Sequence, residues 1–423
     1  MVPSREAYNV YVKSNMFVRH VIVLLYRVVV NFSKWKIMVR YFFSLLIIFS
    51  LFACHPKQQV AISDDMSVVD TVSPRVIPIS ISDTTYRHVD QTFEQVSYVI
   101  LSDDVLIGEI VRTLVVDDRI FILDNQNKIF CYNMEGGVEY VIDDYGSGPG
   151  EYGRILDFAL NPPLKVLWMY DSSRRQLLCY DMFTGKRCQS ISAAYMAPER
   201  MAIWNGSFFF FMGNHYNYPD NSNMHYSLFY SISGAKIDKS FFPHDQMSEF
   251  LFSYGWEHPF YYNDDKLYFI NNYGTVVYQL TSESIRPLYK VELPDSLPSD
   301  ILMEVTPSLK LMQTRYSWLL SNSYETDGIL NLWFQKQGYY YAVYYDLSND
   351  KIIYAGKQVN NIPVKDLLFI SQINGVYKNT FFSVVPSFII KYKIDENPDI
   401  FPEDLKSLTE ESNPVIAFYK VKR

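Results

Sequence analysis

The sequence predicts an all-β protein assembled from six repeats, each of about four short strands. Three observations carry that expectation. The 423-residue chain is 48% hydrophobic and 17% aromatic, with 35 Tyr and 29 Phe, a composition suited to pleated, half-buried strands more than to helices. Its apolar runs are short and rich in β-branched and aromatic residues, and they stop at Asp, Asn and Gly turn signals. Those runs recur with a period in the high forties.

The same composition excludes two broad classes. A chain this apolar can bury a large core and is not disordered. A formal net charge of -8 leaves no concentrated positive face for phosphates, so a nucleic-acid partner is not expected.

The elements follow in chain order. Residues 1–37 carry an apolar run, Phe17 to Val30, broken by Arg19, His20 and Arg27, and read as an upstream extension that is not part of the mature protein. Residues 38–53 read as a signal peptide: Arg40 supplies the positive start, Tyr41 to Phe52 a stretch too short to span a bilayer, and Leu51-Phe52-Ala53-Cys54 the end. That ending resembles a bacterial lipobox, which implies acylation of Cys54 and a membrane partner through the N-terminal lipid. Residues 54–75 are polar and lack periodicity, as a flexible tether would be. His55-Pro56-Lys57-Gln58-Gln59 holds no acidic cluster of the kind that marks surface export in the Bacteroidetes lipoproteins this ending resembles, and that resemblance implies a periplasmic-facing anchor.

The folded body is placed at residues 76–423. "LVVDDRIFILDNQNKIFCYNMEG" from Leu114 and "FALNPPLKVLWMYDSSRRQLLCYDMFTG" from Phe158 share one grammar of strand, turn, strand ending in Asp, polar turn and strand ending Cys-Tyr. Asp124 matches Asp171 at an offset of 47, and Cys131 matches Cys179 at 48. "YYNDDKLYFINNYGTVVYQL" from Tyr261 repeats the pattern, with Asp117-Asp118-Arg119 matching Asp264-Asp265-Lys266 at 147, three periods of 49. Ile203 to Phe242 supplies the unit between. Gly328 to Gly356 and Leu367 to Lys393 supply two more. Six units of this kind fit a β-propeller, because a blade cannot bury both faces alone and stacking around an axis does so. Ring closure is expected from Val76 to Ile81 and Val96 to Leu101, or from Pro414 to Val421, and one short helix is expected near Pro402 to Glu411.

"DDYGSGPGEYGRILDF", Asp143 to Phe158, resembles a phosphate-binding loop in its glycines, but Glu151-Tyr152 stands where a Lys-Ser/Thr pair would be, and strands follow it. An inter-blade connector is the expected role. With the strands after it, this stretch resembles the NHL-type blade, and the chain from about residue 75 resembles the six-bladed β-propeller lipoproteins of the Bacteroidetes type, including the ending Asn413 to Tyr419. The resemblance implies a lipid-anchored envelope propeller.

Site chemistry is sparse. No HExxH, CxxC, G-x-S-x-G or EF-hand spacing occurs. Asp124 and Asp171 are candidate ligands for calcium or another divalent cation, against the alternative that each ends a strand and caps the next turn. His215, His225, His244 and His258 match no zinc spacing and read as surface or loop histidines. Cys179 and Cys188 face each other across a hairpin and form either a disulfide or, with Cys131, a set of small thiols.

The longest polar insertion, Gly213 to Tyr226, supplies candidate ligand-binding residues Asn214, His215, Tyr216, Tyr218 and Asp220. The neighbouring cluster Tyr254 to Tyr262 adds Trp256 and His258. The functional expectation is a binding or scaffold module for a glycan, peptide or envelope protein, with no cofactor predicted. The alternative is a propeller hydrolase or lyase using a central divalent cation.

Overall fold

A computed structural model of the chain describes residues 69–81, 92–193, 198–213, 225–244, 258–263, 266–271, 274–298, 315–319, 322–357 and 373–423. Two strands precede the first repeat, β1 (Arg75–Pro78) and β2 (Phe93–Ile100). Blade one comprises β3 (Ile110–Val116), β4 (Arg119–Asp124), β5 (Ile129–Asn133) and β6 (Val138–Ile142). Blade two comprises β7 (Ile155–Asn161), β8 (Val166–Asp171), β9 (Gln176–Asp181) and β10 (Arg187–Ser192). Blade three comprises β11 (Arg200–Trp204), β12 (Ser207–Phe211), β13 (His225–Ser231) and β14 (Lys239–His244). Blade four comprises β15 (Phe260–Asn263), β16 (Lys266–Ile270), β17 (Val276–Leu280) and β18 (Ile285–Glu292).

Blade five divides its innermost position between β19 (Ser317–Leu319) and β20 (Tyr324–Thr326), which pair with opposite ends of β21 (Ile329–Lys336). β22 (Tyr339–Asp346) and β23 (Lys351–Lys357) complete it. Blade six runs from β24 (Gly375–Tyr377) through β25 (Thr380–Val385) to β26 (Val415–Val421). The expected six-bladed β-propeller is the observed architecture.

Closure uses both ends of the chain at once. β2 lies antiparallel on β26, with Phe93 opposite Val421 and Ile100 opposite Val415, so the first long strand is the outer strand of the last blade. β1 takes no part in closure. It runs parallel to β18 as a fifth strand on blade four, where Ile77 is fully buried and the Arg75 guanidinium reaches Leu347 O and Asp350, each at 2.8 Å, on the neighbouring blade.

Middle strands read as continuous apolar runs because both faces are covered. On β4, Phe121 and Leu123 pack toward Phe158 and Met169 of blade two, while Ile120 and Ile122 pack toward Phe382 and Phe418 of blade six. The same division recurs on β12, where Phe208 and Phe210 join Trp168 of blade two and Phe209 and Phe211 join Phe269 of blade four. Each such side chain contributes about 1.5–3 kcal/mol when taken out of water. Outer strands lose this constraint, and β10 has no fully buried residue.

Hairpin chemistry is written locally. Asp117 and Asp118, with φ of 50° and 57°, join β3 to β4, and Asn205-Gly206, with φ of 48° and 79°, joins β11 to β12. Both are the left-handed pairs that match strand twist in two-residue turns. One repeat departs from expectation. Part of the Leu367–Lys393 unit is helical: α1 (Ser387–Glu396) follows Pro386, buries Ile390 and Ile394 one turn apart, and sits between β25 and β26. The extended Pro386 starts it, and the apolar residues follow a helical spacing. A second helix, α2 (Glu403–Lys406), falls inside the segment where one was expected.

The glycine-rich stretch connects β6 to β7 between blades one and two. The Glu151 carboxylate accepts the Gly148 N–H at 2.5 Å, and the single O–H of the buried Tyr152 lies between Asn127 O at 2.8 Å and Ile142 O at 3.1 Å. A Cβ on Gly146 would stand 2.0 Å from a Glu151 carboxylate oxygen, so the loop closes on its own side chain. Arg174 donates to the Glu151, Gly146 and Gly148 carbonyls. Tyr152→Phe removes the only side-chain donor shown to these two carbonyls and is expected to lower the unfolding free energy by about 1–2 kcal/mol in a urea titration; an unchanged midpoint would show that the hydroxyl does not hold the connector.

Candidate functional site

Two innermost strands carry one charged residue each in a mostly apolar run, IVRTLVV on β3 and ILDFALN on β7. Arg112 and Asp157 are each third in their strand, and each follows a register shift, between Ile110 and Arg112 and between Ile155 and Asp157. Such a bulge re-aims a side chain that regular pleating would point elsewhere.

Both side chains are buried, at 8% and 2% exposure, and Arg112 Nη1 donates to Asp157 Oδ1 at 2.8 Å. Arg112 also donates to Phe158 O and, at 3.4 Å, to Met201 O, and its guanidinium lies 5.5 Å from the Phe158 ring. Asp157 Oδ2 accepts the Met201 N–H at 2.7 Å. His258 Nε2 stands 3.5 Å from that same oxygen, and the His258 backbone N–H donates to Asn322 Oδ1 at 2.7 Å. The other ring nitrogen, Nδ1, lies 3.0 Å from Phe260 O and 3.3 Å from Phe260 N. Five blades are thereby joined through one buried carboxylate: Arg112 from blade one, Asp157 from two, Met201 from three, His258 from four and Asn322 from five. Tyr262 adds a further tie, donating to Ile203 O at 2.8 Å and accepting from Ile203 N–H at 3.0 Å.

Charge within the hub is one-sided. Burial opposes ionisation of Asp157, but the Arg112 guanidinium, with His258 and Arg200, outweighs it and holds the carboxyl well below the ordinary carboxylate range. Burial first, and then Arg112, pull His258 down to about 4 against the counter-effect of Asp157, so the ring is neutral at physiological pH.

Over this hub lies a cavity of about 830 Å³, lined by residues from the innermost region of all six blades. Arg112, Arg200, His258 and Asn322 line it beside Phe260, Tyr262 and Tyr324, and Asn161, Trp204 and Asn205 line it further along. The volume falls in the range of small-molecule pockets, roughly 300–1,000 Å³.

Of the residues singled out in the sequence, His258 lies at this cavity. Asn214, His215, Tyr216, Tyr218, Asp220 and Trp256 lie outside the described residues. Asp124 and Asp171 end β4 and β8 and are not among the cavity-lining residues. Asp124 accepts the N–H groups of Gln126, Lys128 and Gly108, and Asp171 those of Ser173, Arg174 and Gly153, so each fastens the next hairpin to the strand entry before it. Among the described residues no three His, Cys, Asp or Glu side chains gather where a metal ion could be held. His225 and His244 are cross-strand partners on β13 and β14.

Cys131, Cys179 and Cys188 are free thiols, the first two buried. A register shift between Arg187 and Gln189 sets Gln189, not Cys188, opposite Cys179. Burial pushes the Cys131 and Cys179 thiols up to about 12, which leaves them unreactive.

The sequence reading missed Arg112, Asp157, Arg200, Asn322 and Tyr324. Its repeats were framed from Leu114 and Phe158, just downstream of the ion pair. The available signal was a charge at the third position of two successive apolar strands.

These features define a six-bladed β-propeller with a charged hub beneath an axial cavity. Residues 74–420 match the family described as a domain of unknown function, DUF4934, and the chain belongs to that family. No curated protein matches it. Among solved structures it is similar to a Bacteroides fragilis protein described as exported, 17% identical over 82% of this chain and 100% of that one, with a TM-score of 0.66. It is also similar to a member of the duf4221 family from Bacteroides vulgatus, 10% identical over 79% of this chain and 99% of that one, with a TM-score of 0.44. At 17% identity the likeness to the first is one of fold.

Two expected outcomes test the hub. Asp157→Ala leaves a buried guanidinium without its carboxylate and should cost about 3–5 kcal/mol, whereas Arg112→Met with Asp157→Leu should cost much less than the two single changes summed; additive losses in a denaturant double-mutant cycle would mean the pair is not a unit. The second outcome concerns pH. Unfolded His258 takes up a proton near 6.5 and the folded ring near 4, so stability is flat above about pH 6.5 and falls as pH drops toward about 4. Below that, the unfolded Asp157 carboxyl protonates near 3.8 while the folded one stays charged, and stability falls again. His258→Gln should flatten the upper arm of a melting-temperature profile and leave the lower arm in place.

Proposed function

We propose that the protein is a lipid-anchored propeller of the cell envelope that binds a small ligand, or the end of a larger glycan or peptide, in its axial cavity. The observation that carries the reading is the cavity itself: about 830 Å³, walled by aromatic rings and by Arg, Asn and His side chains. Apolar walls with a few placed polar groups are the usual composition of a ligand pocket. The anchor at Cys54 and the likeness to a protein described as exported support an envelope location, with the periplasmic side favoured.

The Gly213 to Tyr226 insertion remains the alternative location for recognition.

The test is a panel of mono- and disaccharides and short peptides, scored by native mass spectrometry against the intact protein and against Val111→Trp, which places an indole in the cavity wall. At least one compound should bind one to one, and its affinity should drop more than tenfold in the variant. Binding that Val111→Trp leaves unchanged would move the site away from the axis.

A further inference from the structure

Resting on the cavity reading above, we infer that the ligand is an extended peptide, held as an added strand along the open edge of β3. Eight consecutive residues, Ile110 to Asp117, line the cavity. Their side chains alternate between two faces, with Leu114 packing toward blade two and Val115 toward blade six. A cavity that borders residues of both faces in turn lies against the edge of a strand. Among the described innermost strands, β3 alone borders it from end to end.

The pairing of β3 with β4 fixes which backbone groups point to that edge. Val116 and Arg119 flank the two-residue turn and exchange both hydrogen bonds, and such pairs alternate, so Leu114 and Phe121 pair in the same way. Thr113 and Val115, opposite Ile122 and Ile120, therefore turn their N–H and C=O groups away from β4 and toward the cavity. On β11 the same rule leaves Met201 and Ile203 at the open edge, because Trp204 and Ser207 flank the Asn205-Gly206 turn. There side chains take the exposed groups: Asp157 accepts the Met201 N–H, Arg112 donates to the Met201 carbonyl, and the Tyr262 hydroxyl meets both Ile203 groups. No described residue does this for Thr113 or Val115. The Thr113 hydroxyl, on a residue 5% exposed, has no protein partner either. Alternate residues of an extended peptide bring a donor and an acceptor every 7 Å or so, about the spacing at which these groups stand.

The dimensions suit one strand. Eight residues extend about 23 Å, and the 830 Å³ of the cavity spread over that length gives a mean cross-section of about 36 Å². A strand within stacked sheets occupies about 48 Å², from a lateral spacing near 4.8 Å and a sheet separation near 10 Å, so the side chains of the ligand must be small. Val111 and Asp117, toward the two ends of the edge, are exposed, while Thr113 and Val115 between them are buried. About six residues of Gly, Ala, Ser or Thr fill such a slot.

The experiment uses the full-length protein with capped hexapeptides of Gly, Ala, Ser and Thr, and with maltotetraose and cellotetraose as glycans of comparable length, scored by native mass spectrometry. At least one hexapeptide should bind one to one, at least tenfold more tightly than its central dipeptide. When each of its residues is N-methylated in turn, losses of tenfold or more should fall on alternate residues, because a strand on an edge uses every second N–H. Val115→Pro removes a backbone N–H that β4 does not use, so it should keep the circular dichroism spectrum and lose at least tenfold in peptide affinity; if that variant does not fold, the N-methyl series on the unaltered protein decides. Tetrasaccharide binding without peptide binding, abolished by Val111→Trp, would overturn the peptide and leave the cavity reading standing. N-methyl losses that do not alternate would overturn the added strand. Peptide binding that persists in Val111→Trp would overturn both readings, and binding by no hexapeptide would overturn the inference.

Discussion

The buried pair of Arg112 and Asp157 is the interaction around which the rest of the propeller is arranged. A charge taken out of water costs several kcal/mol unless its partners are well placed, so a carboxylate this deep constrains everything near it. Here the constraint is met by groups from different blades. Arg112 and the Met201 N–H take the two Asp157 oxygens, and His258 lies against the second of them. Any blade that turned away from the axis would strand part of that set. The hub therefore adds orientation to a ring that hydrophobic contact alone would hold less specifically.

Away from the axis the ring is held by apolar faces. Each middle strand is buried on both sides, so Phe121 and Ile120, adjacent in sequence, belong to different interfaces. This arrangement has no terminal face, provided that the ring closes. β2 on β26 supplies the closure by an antiparallel ladder joining the two ends of the chain, and β1 is then left to extend blade four. The connectors carry the remaining polar demand. In the Gly146 to Tyr152 segment backbone groups are met by Glu151 and Arg174, and the Tyr152 hydroxyl ties it to the Asn127 and Ile142 carbonyls, which explains glycines that resemble a phosphate loop without the chemistry of one.

A charge that ties the blades together also lines the axial cavity. Asp157 is enclosed behind the cavity wall, while its partner Arg112 lines it. His258 stays neutral there and serves as a wedge between Asp157 and the Phe260 backbone. Asp124 and Asp171, which match in the repeat, have a local role instead, each fastening a hairpin through backbone N–H groups.

What the sequence by itself determined is whatever depends on near neighbours. Turn residues such as Asp117-Asp118 and Asn205-Gly206 specify hairpins, the two-faced apolar strands specify blades, and the recurrence of both specifies six of them. The helix after Pro386 escaped because its apolar residues also fit a strand-rich repeat, and periodicity over so short a run does not separate the two. Only the tertiary structure decided the site. Arg112, Asp157, Arg200, His258 and Asn322 come from five blades and are brought together by ring closure and by bulges that turn two of their side chains. Their separation along the chain carries no spacing motif, since the distance between them is set by the curvature of the whole ring and not by any local rule.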